Sequence, residues 1–172
     1  MADSLGHRSI PGKTGVAMSK STGSKIWFIG FIVGALAMMA FHQAFLHVLH
    51  HHAHKLPMLT DAVGRFPMAF DLRPAPPFGL PLLAMQGLWG GVWGIIIAGL
   101  VRVTRAENFD LPLGLVFGAL AITAVETTGL PGLIGLPILN SANEPALIRA
   151  AVLNGAFGFG VVFLLRPFAV RG

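Results

Sequence analysis

The chain has 172 residues, of which 54% are hydrophobic and only 11% charged, and its mean hydropathy is +0.72. A soluble domain carries about 25% charged residues, so composition excludes that class and points to an integral membrane protein of one domain. The absence of cysteine excludes disulfides, thiolate metal sites, iron–sulfur clusters and cysteine nucleophiles. The net charge of +5 comes from basic residues that flank apolar segments without forming a stripe, so no nucleic-acid partner is expected.

Residues 1–25 are polar, Gly/Ser-rich and basic, and read as a disordered tail. Met18, opening MSKSTGSK, is a second candidate start. A domain of four transmembrane helices is expected over 26–168. Its first span, 26–48, opens with an uncharged apolar run, Ile26 to Ala40, and contains the pair Gly30 and Gly34 in GFIVG. Histidines continue the segment at His42, His47, His50, His51, His52 and His54. Residues 50–80 follow as a proline-rich loop, with an amphipathic piece expected near 59–70 and an ordered cap overall.

The second span, 82–101, carries GLWGGVWG, in which Gly87/Gly91 and Gly90/Gly94 form two overlapping small-residue pairs. Trp89 and Trp93 lie four apart, on one helix face. The third span, 111–129, has Pro112 in its first turn, the pair Gly114 and Gly118, and Glu126 near its end. The apolar stretch 131–139 is broken by Pro131, Gly132, Gly135 and Pro137, a pattern suited to a re-entrant or interfacial segment. The fourth span, 146–165, contains Arg149 and Asn154. Counting basic residues on the two sides gives eight against four, which places both termini in the cytoplasm and the 50–80 loop in the periplasm.

At about 1.5 Å per residue, His42 and Glu126 each lie more than about 20 Å from the inner ends of their spans. Trp89 and Asn154 lie roughly 10 Å from the outer ends of theirs, with Gln43 and Gln86 close by. Packed together, these helices would form one polar layer of His42, Gln43, Trp89, Glu126 and Asn154. Ionisable groups inside a span are costly and have partners. For Glu126 the candidate partners are His42, Asn154, the Trp89 indole and Arg149.

His47, His50, His51 and His54 follow an i, i+3, i+4, i+7 pattern and are candidate ligands for a divalent metal, with Asp61 and Asp71 able to complete a site. Apart from that metal no cofactor is expected. A bis-histidine haem needs ligands on facing helices, and every histidine beyond His7 lies on the first span or its extension. Phosphate-loop, dinucleotide, hydrolase and zinc-protease motifs are absent, so no enzyme is expected.

The motifs FHQ at Phe41–Gln43, PPFGLP at Pro76–Pro81 and WGGVWG at Trp89–Gly94 resemble a family of small uncharacterised inner-membrane proteins of Gram-negative bacteria. The resemblance covers roughly 25–105, excludes the HHHAH run, and implies the bacterial inner membrane as location. It implies no activity. The expected function is that of a packing or accessory subunit, associating as a homo-oligomer or with a larger membrane complex through glycine-rich faces. The alternative is a small transporter or channel for protons or a divalent metal ion, with Glu126→Gln as the discriminating change.

Overall fold

The computed structural model describes residues 22–104 and 109–168, with no side-chain description for 22–24 and Leu59. The tail expected to be disordered lies largely outside the described residues. The described chain is mostly helical, and three helices are long and apolar enough to cross a membrane: Lys25–Lys55, Leu82–Thr104 and Glu144–Phe168.

The first of these is built from α1 (Thr22–Ala37), a π-helical stretch over Met38–Gln43, α2 (Ala44–His52) and a 3-10 turn over Ala53–Lys55. It therefore runs past the expected end at residue 48. No proline or glycine interrupts it between Ala35 and Leu56, and backbone hydrogen bonding is not broken until Pro57. The cap that follows is ordered. Helix α3 covers Pro57–Val63 and stops at Gly64, whose φ of +70 ends the helix. The piece expected near 59–70 is thus shorter and begins earlier. A two-residue antiparallel pair, β1 (Pro74–Ala75) with β2 (Leu80–Pro81), closes the cap. It is tied to the next helix by Leu82 N–H donating to the Arg73 carbonyl and Leu83 N–H to that of Asp71.

Helix α4 (Leu82–Thr104) returns antiparallel to α1. Their contact is made of glycine: Gly30 lies against Gly94 and Gly34 against Gly90, backbone on backbone. A second antiparallel pair is formed by α5 (Asp110–Phe117) and α7 (Glu144–Leu165). There Gly114 meets Gly158, and Gly118 meets the backbone of Asn154 and Gly158. Helix α5 continues through a π-helical stretch over Gly118–Ile122 into α6 (Thr123–Glu126). The run ends three residues before the expected boundary. Thr127 and Thr128 turn their hydroxyls back onto the carbonyls of Ala124 and Val125, each at 2.7 Å, and Gly129 and Pro131 follow. Residues 131–134 make one 3-10 turn, Gly135 ends it in the left-handed conformation, and 136–140 have no regular structure. Asn143 caps α7 by accepting from Ala146 N–H at 3.1 Å.

Both pairs share a dry core that includes Val33, Ile97, Ile122, Phe157 and Val161. Where α5 begins and α7 ends, Arg166 Nη2 donates to Asp110 Oδ1 at 2.8 Å, and Asp110 is fully buried. The opposite end carries the cap, whose Val63 and Phe66 pack with Leu46 and Leu153.

Candidate functional site

A cavity of about 210 Å³ opens between the dry core and the cap. His42 from the first π stretch, Gln86 and Trp89 from α4, and Glu126 from the end of α6 line it. Residues 131–139 roof it, with Pro131, Leu136 and Leu139 in its walls. The roof is fastened on one side by Leu139 N–H, which donates to the Glu126 carbonyl at 2.8 Å. On the other side Gly135, at φ +76, lies so close to the Pro76 carbonyl that any Cβ would overlap it.

The remaining polar residues hold these walls. Asn154, 1% exposed, donates from Nδ2 to Glu126 Oε2 at 2.8 Å and to Thr123 Oγ1 at 3.1 Å. Gln43, also 1% exposed, donates from Nε2 to Gln86 Oε1 at 2.9 Å, while its Oε1 accepts from Phe70 N–H at 2.9 Å. Phe70 has a positive φ of 56, so Gln43 fixes an unfavourable turn of the cap. Trp89 and Trp93 meet edge to face at 5.9 Å. Their indole N–H groups are buried with no hydrogen-bond partner among the described residues.

The structure thus gathers His42, Gln86, Trp89 and Glu126 around one space and links Gln43 and Asn154 to it. Of the four partners considered for Glu126, Asn154 is the one bonded to it. Arg149 is not: it donates to the Val63 carbonyl and terminates α3, because α7 passes beneath the cap at that level. Thr123 was missed by sequence reasoning, as were the two π stretches. One ends in His42–Gln43 and the other immediately precedes Thr123. A π stretch widens one turn and shifts every later side chain around the axis, and such bulges recur at functional sites. No residue pattern in MMAFHQ or GALAI announces them. The Asp110–Arg166 pair was missed too, although an acid in the first turn of a helix was a readable signal.

The histidine ladder does not form a metal centre. His47 and His51 touch edge to face at 4.5 Å, but His50 donates its Nδ1–H to the Phe66 carbonyl at 2.8 Å. His54 falls in the 3-10 turn, which breaks the i+7 continuation of the stripe. Among the described residues no three His, Asp or Glu side chains are arranged to hold a metal ion. Asp71 is instead paired with Arg73 at 2.5 Å.

The glycines divide. Gly30, Gly34, Gly90, Gly94, Gly114 and Gly118 are all used between helices of this chain. Gly91 faces the Phe31 ring, and Gly87 meets only the Met39 methyl, at 3.5 Å. Gly158 and Gly160, the latter against the Phe41 ring, also lie between helices.

No protein-family model, curated protein sequence or solved structure matches this chain.

Proposed function

We propose that this chain is a small inner-membrane transporter for protons, with Glu126 and His42 as the groups that take up and release the proton. The observation that carries the reading is the meeting of an imidazole and a carboxyl at one cavity, contributed by helices distant in sequence. Ionisable side chains at membrane depth are expensive to place and mark ion pathways. The reading includes four membrane crossings, with 110–126 as the third, and both termini in the cytoplasm. The cavity then lies in the outer half of the bilayer beneath a periplasmic cap, with the dry core of Ile97, Ile122, Phe157 and Val161 on its inner side. That plug favours a gated carrier over an open pore.

A metal cargo is disfavoured, since His42 and Glu126 offer only two ligands and no third joins them among the described residues. The accessory-subunit reading, whether as a homo-oligomer or in a larger complex, loses its glycine faces, which are occupied within the chain. Exposed Trp27, Phe28 and Phe163 suit lipid tails as well as a protein partner.

The test is proton flux into liposomes carrying the purified chain, followed with an entrapped pH-sensitive dye. The wild type should acidify the lumen under an imposed gradient, and Glu126→Gln should fall to the rate of protein-free liposomes. Flux that is unchanged in this variant, or absent from the wild type, overturns the proposal.

A further inference from the structure

The cap holds a second cavity, of about 420 Å³, with a different chemistry. His50 at the end of α2, His54 in the 3-10 turn, Thr60 on α3 and Arg65 beyond it surround it, over a floor that includes Leu49 and Phe66. We propose that this cavity binds the phosphate group of a phosphate ester. Four features carry the inference. Arg65 and His54 make no hydrogen bond or ion pair among the described residues, whereas the other arginines at the cap end, Arg73 and Arg149, are engaged. No acid lines the space; Asp61, the acid of α3, is exposed and stands outside it. The His50 ring is held by the Phe66 carbonyl, which gives the cavity one fixed wall. Finally, three separate elements converge on the cavity, so its shape depends on the folded cap and not on one flexible run.

A guanidinium offers a planar fork of donors that matches two phosphate oxygens, and the His54 imidazole adds a further donor from the facing turn. The Thr60 hydroxyl is already donated to the Pro57 carbonyl at 3.0 Å, so recognition falls to Arg65 and His54. The ester has two possible sources. One is a phospholipid headgroup, whose acyl chains would follow the exposed apolar surface of Val48 and Leu56. The other is a soluble phosphate. The site does not depend on the Glu126 cavity, and the two proposals stand or fall separately.

The test uses the full chain in nanodiscs. In discs of phosphatidylcholine with a minority of phosphatidylglycerol, native mass spectrometry counts the anionic lipids retained. In discs of phosphatidylcholine alone, inorganic phosphate is titrated calorimetrically. Arg65→Gln should weaken the binding that is found roughly tenfold, the loss of one charge-assisted contact, and Arg65→Lys should restore part of it. Arg73→Gln, which removes a paired charge of the same cap, should leave binding unchanged. Retained phosphatidylglycerol identifies a headgroup site, and phosphate binding alone identifies a soluble ester. Binding that is absent in both arms, insensitive to Arg65, or equally lost with Arg73 overturns the proposal. Because Arg65 is exposed, an unchanged melting temperature separates its effect from misfolding.

Discussion

Two single-methyl substitutions on α4, Gly94→Ala and Gly87→Ala, should have opposite effects on stability. At Gly94 a Cβ would lie 2.6 Å from Gly34 Cα and 2.8 Å from Gly34 N, and would overlap the Gly30 carbonyl. All three obstacles are backbone, so no side chain can rotate away, and α1 and α4 must separate by about 1 Å along their whole glycine contact. Overpacking of this kind costs about 2–3 kcal/mol, from which the better helix propensity of alanine removes about 1 kcal/mol. The net loss is about 1–2 kcal/mol. At Gly87 the nearest atom is the end of the Met39 side chain at 3.5 Å, an ordinary contact. There only the propensity gain remains, up to about 1 kcal/mol. Equilibrium unfolding in mixed micelles, followed by circular dichroism at increasing denaturing detergent, measures both variants against wild type. If Gly87→Ala destabilises as much as Gly94→Ala, or if Gly94→Ala is neutral, the assignment of which glycines join the helices is wrong.

Gln43→Leu removes both the acceptor for Phe70 N–H and the donor to Gln86, and should destabilise the cap by about 1–3 kcal/mol. Limited proteolysis within 64–73 should accelerate, while Gln43→Glu, which still accepts from Phe70, should be cut more slowly than the leucine variant. The cap also has an acid limit. Hydrogen bonds from Arg73 hold the Asp71 carboxyl below its ordinary value of 3.8. A depressed acid contributes above its unfolded value and loses that contribution as pH falls through the folded one. Amide protection at Arg73, whose N–H donates to Asp71 Oδ1, should therefore persist at neutral pH and fade only below about pH 3.8. Hydrogen exchange across that range reads it directly.

The apolar runs made the long helices legible, because nothing but a helix satisfies the backbone of twenty apolar residues in lipid. Their depths along the axis also placed His42, Gln43, Trp89, Glu126 and Asn154 at comparable levels, since rise per residue is nearly constant. Rotation about the axis was not legible. It depends on the π stretches at Met38–Gln43 and Gly118–Ile122, and these reflect how the helices pack more than any local propensity. For the same reason spacing alone could not separate Gly90 and Gly94, which meet another backbone, from Gly87, which does not. The histidine stripe misled because the pattern assumed one unbroken α-helix through residue 54, and the chain tightens to 3-10 geometry after His52. The roof at 131–139 was visible as a broken segment. Its position over the cavity follows from two long-range backbone contacts, to Glu126 and Pro76, that no local pattern encodes.

The helix contacts and the polar site are two consequences of one arrangement. Glycine contacts at Gly30/Gly94, Gly34/Gly90 and Gly114/Gly158 draw the helices of each pair together toward the dry end. Close backbone approach there leaves little room for polar side chains, and apart from Asp110, which is paired with Arg166, the side chains buried at that end are apolar. Toward the cap the small residues give way to Met38, His42, Gln86 and Trp89, whose bulk holds the helices apart and leaves the cavity between them. A polar side chain can occupy that gap only if it has a partner, and the π stretches turn Gln43 toward Gln86, and Thr123 and Glu126 toward Asn154. The helices are thus clamped at one end and spread at the other. The dry core closes the cavity on one side, and the roof at 131–139 covers it on the other.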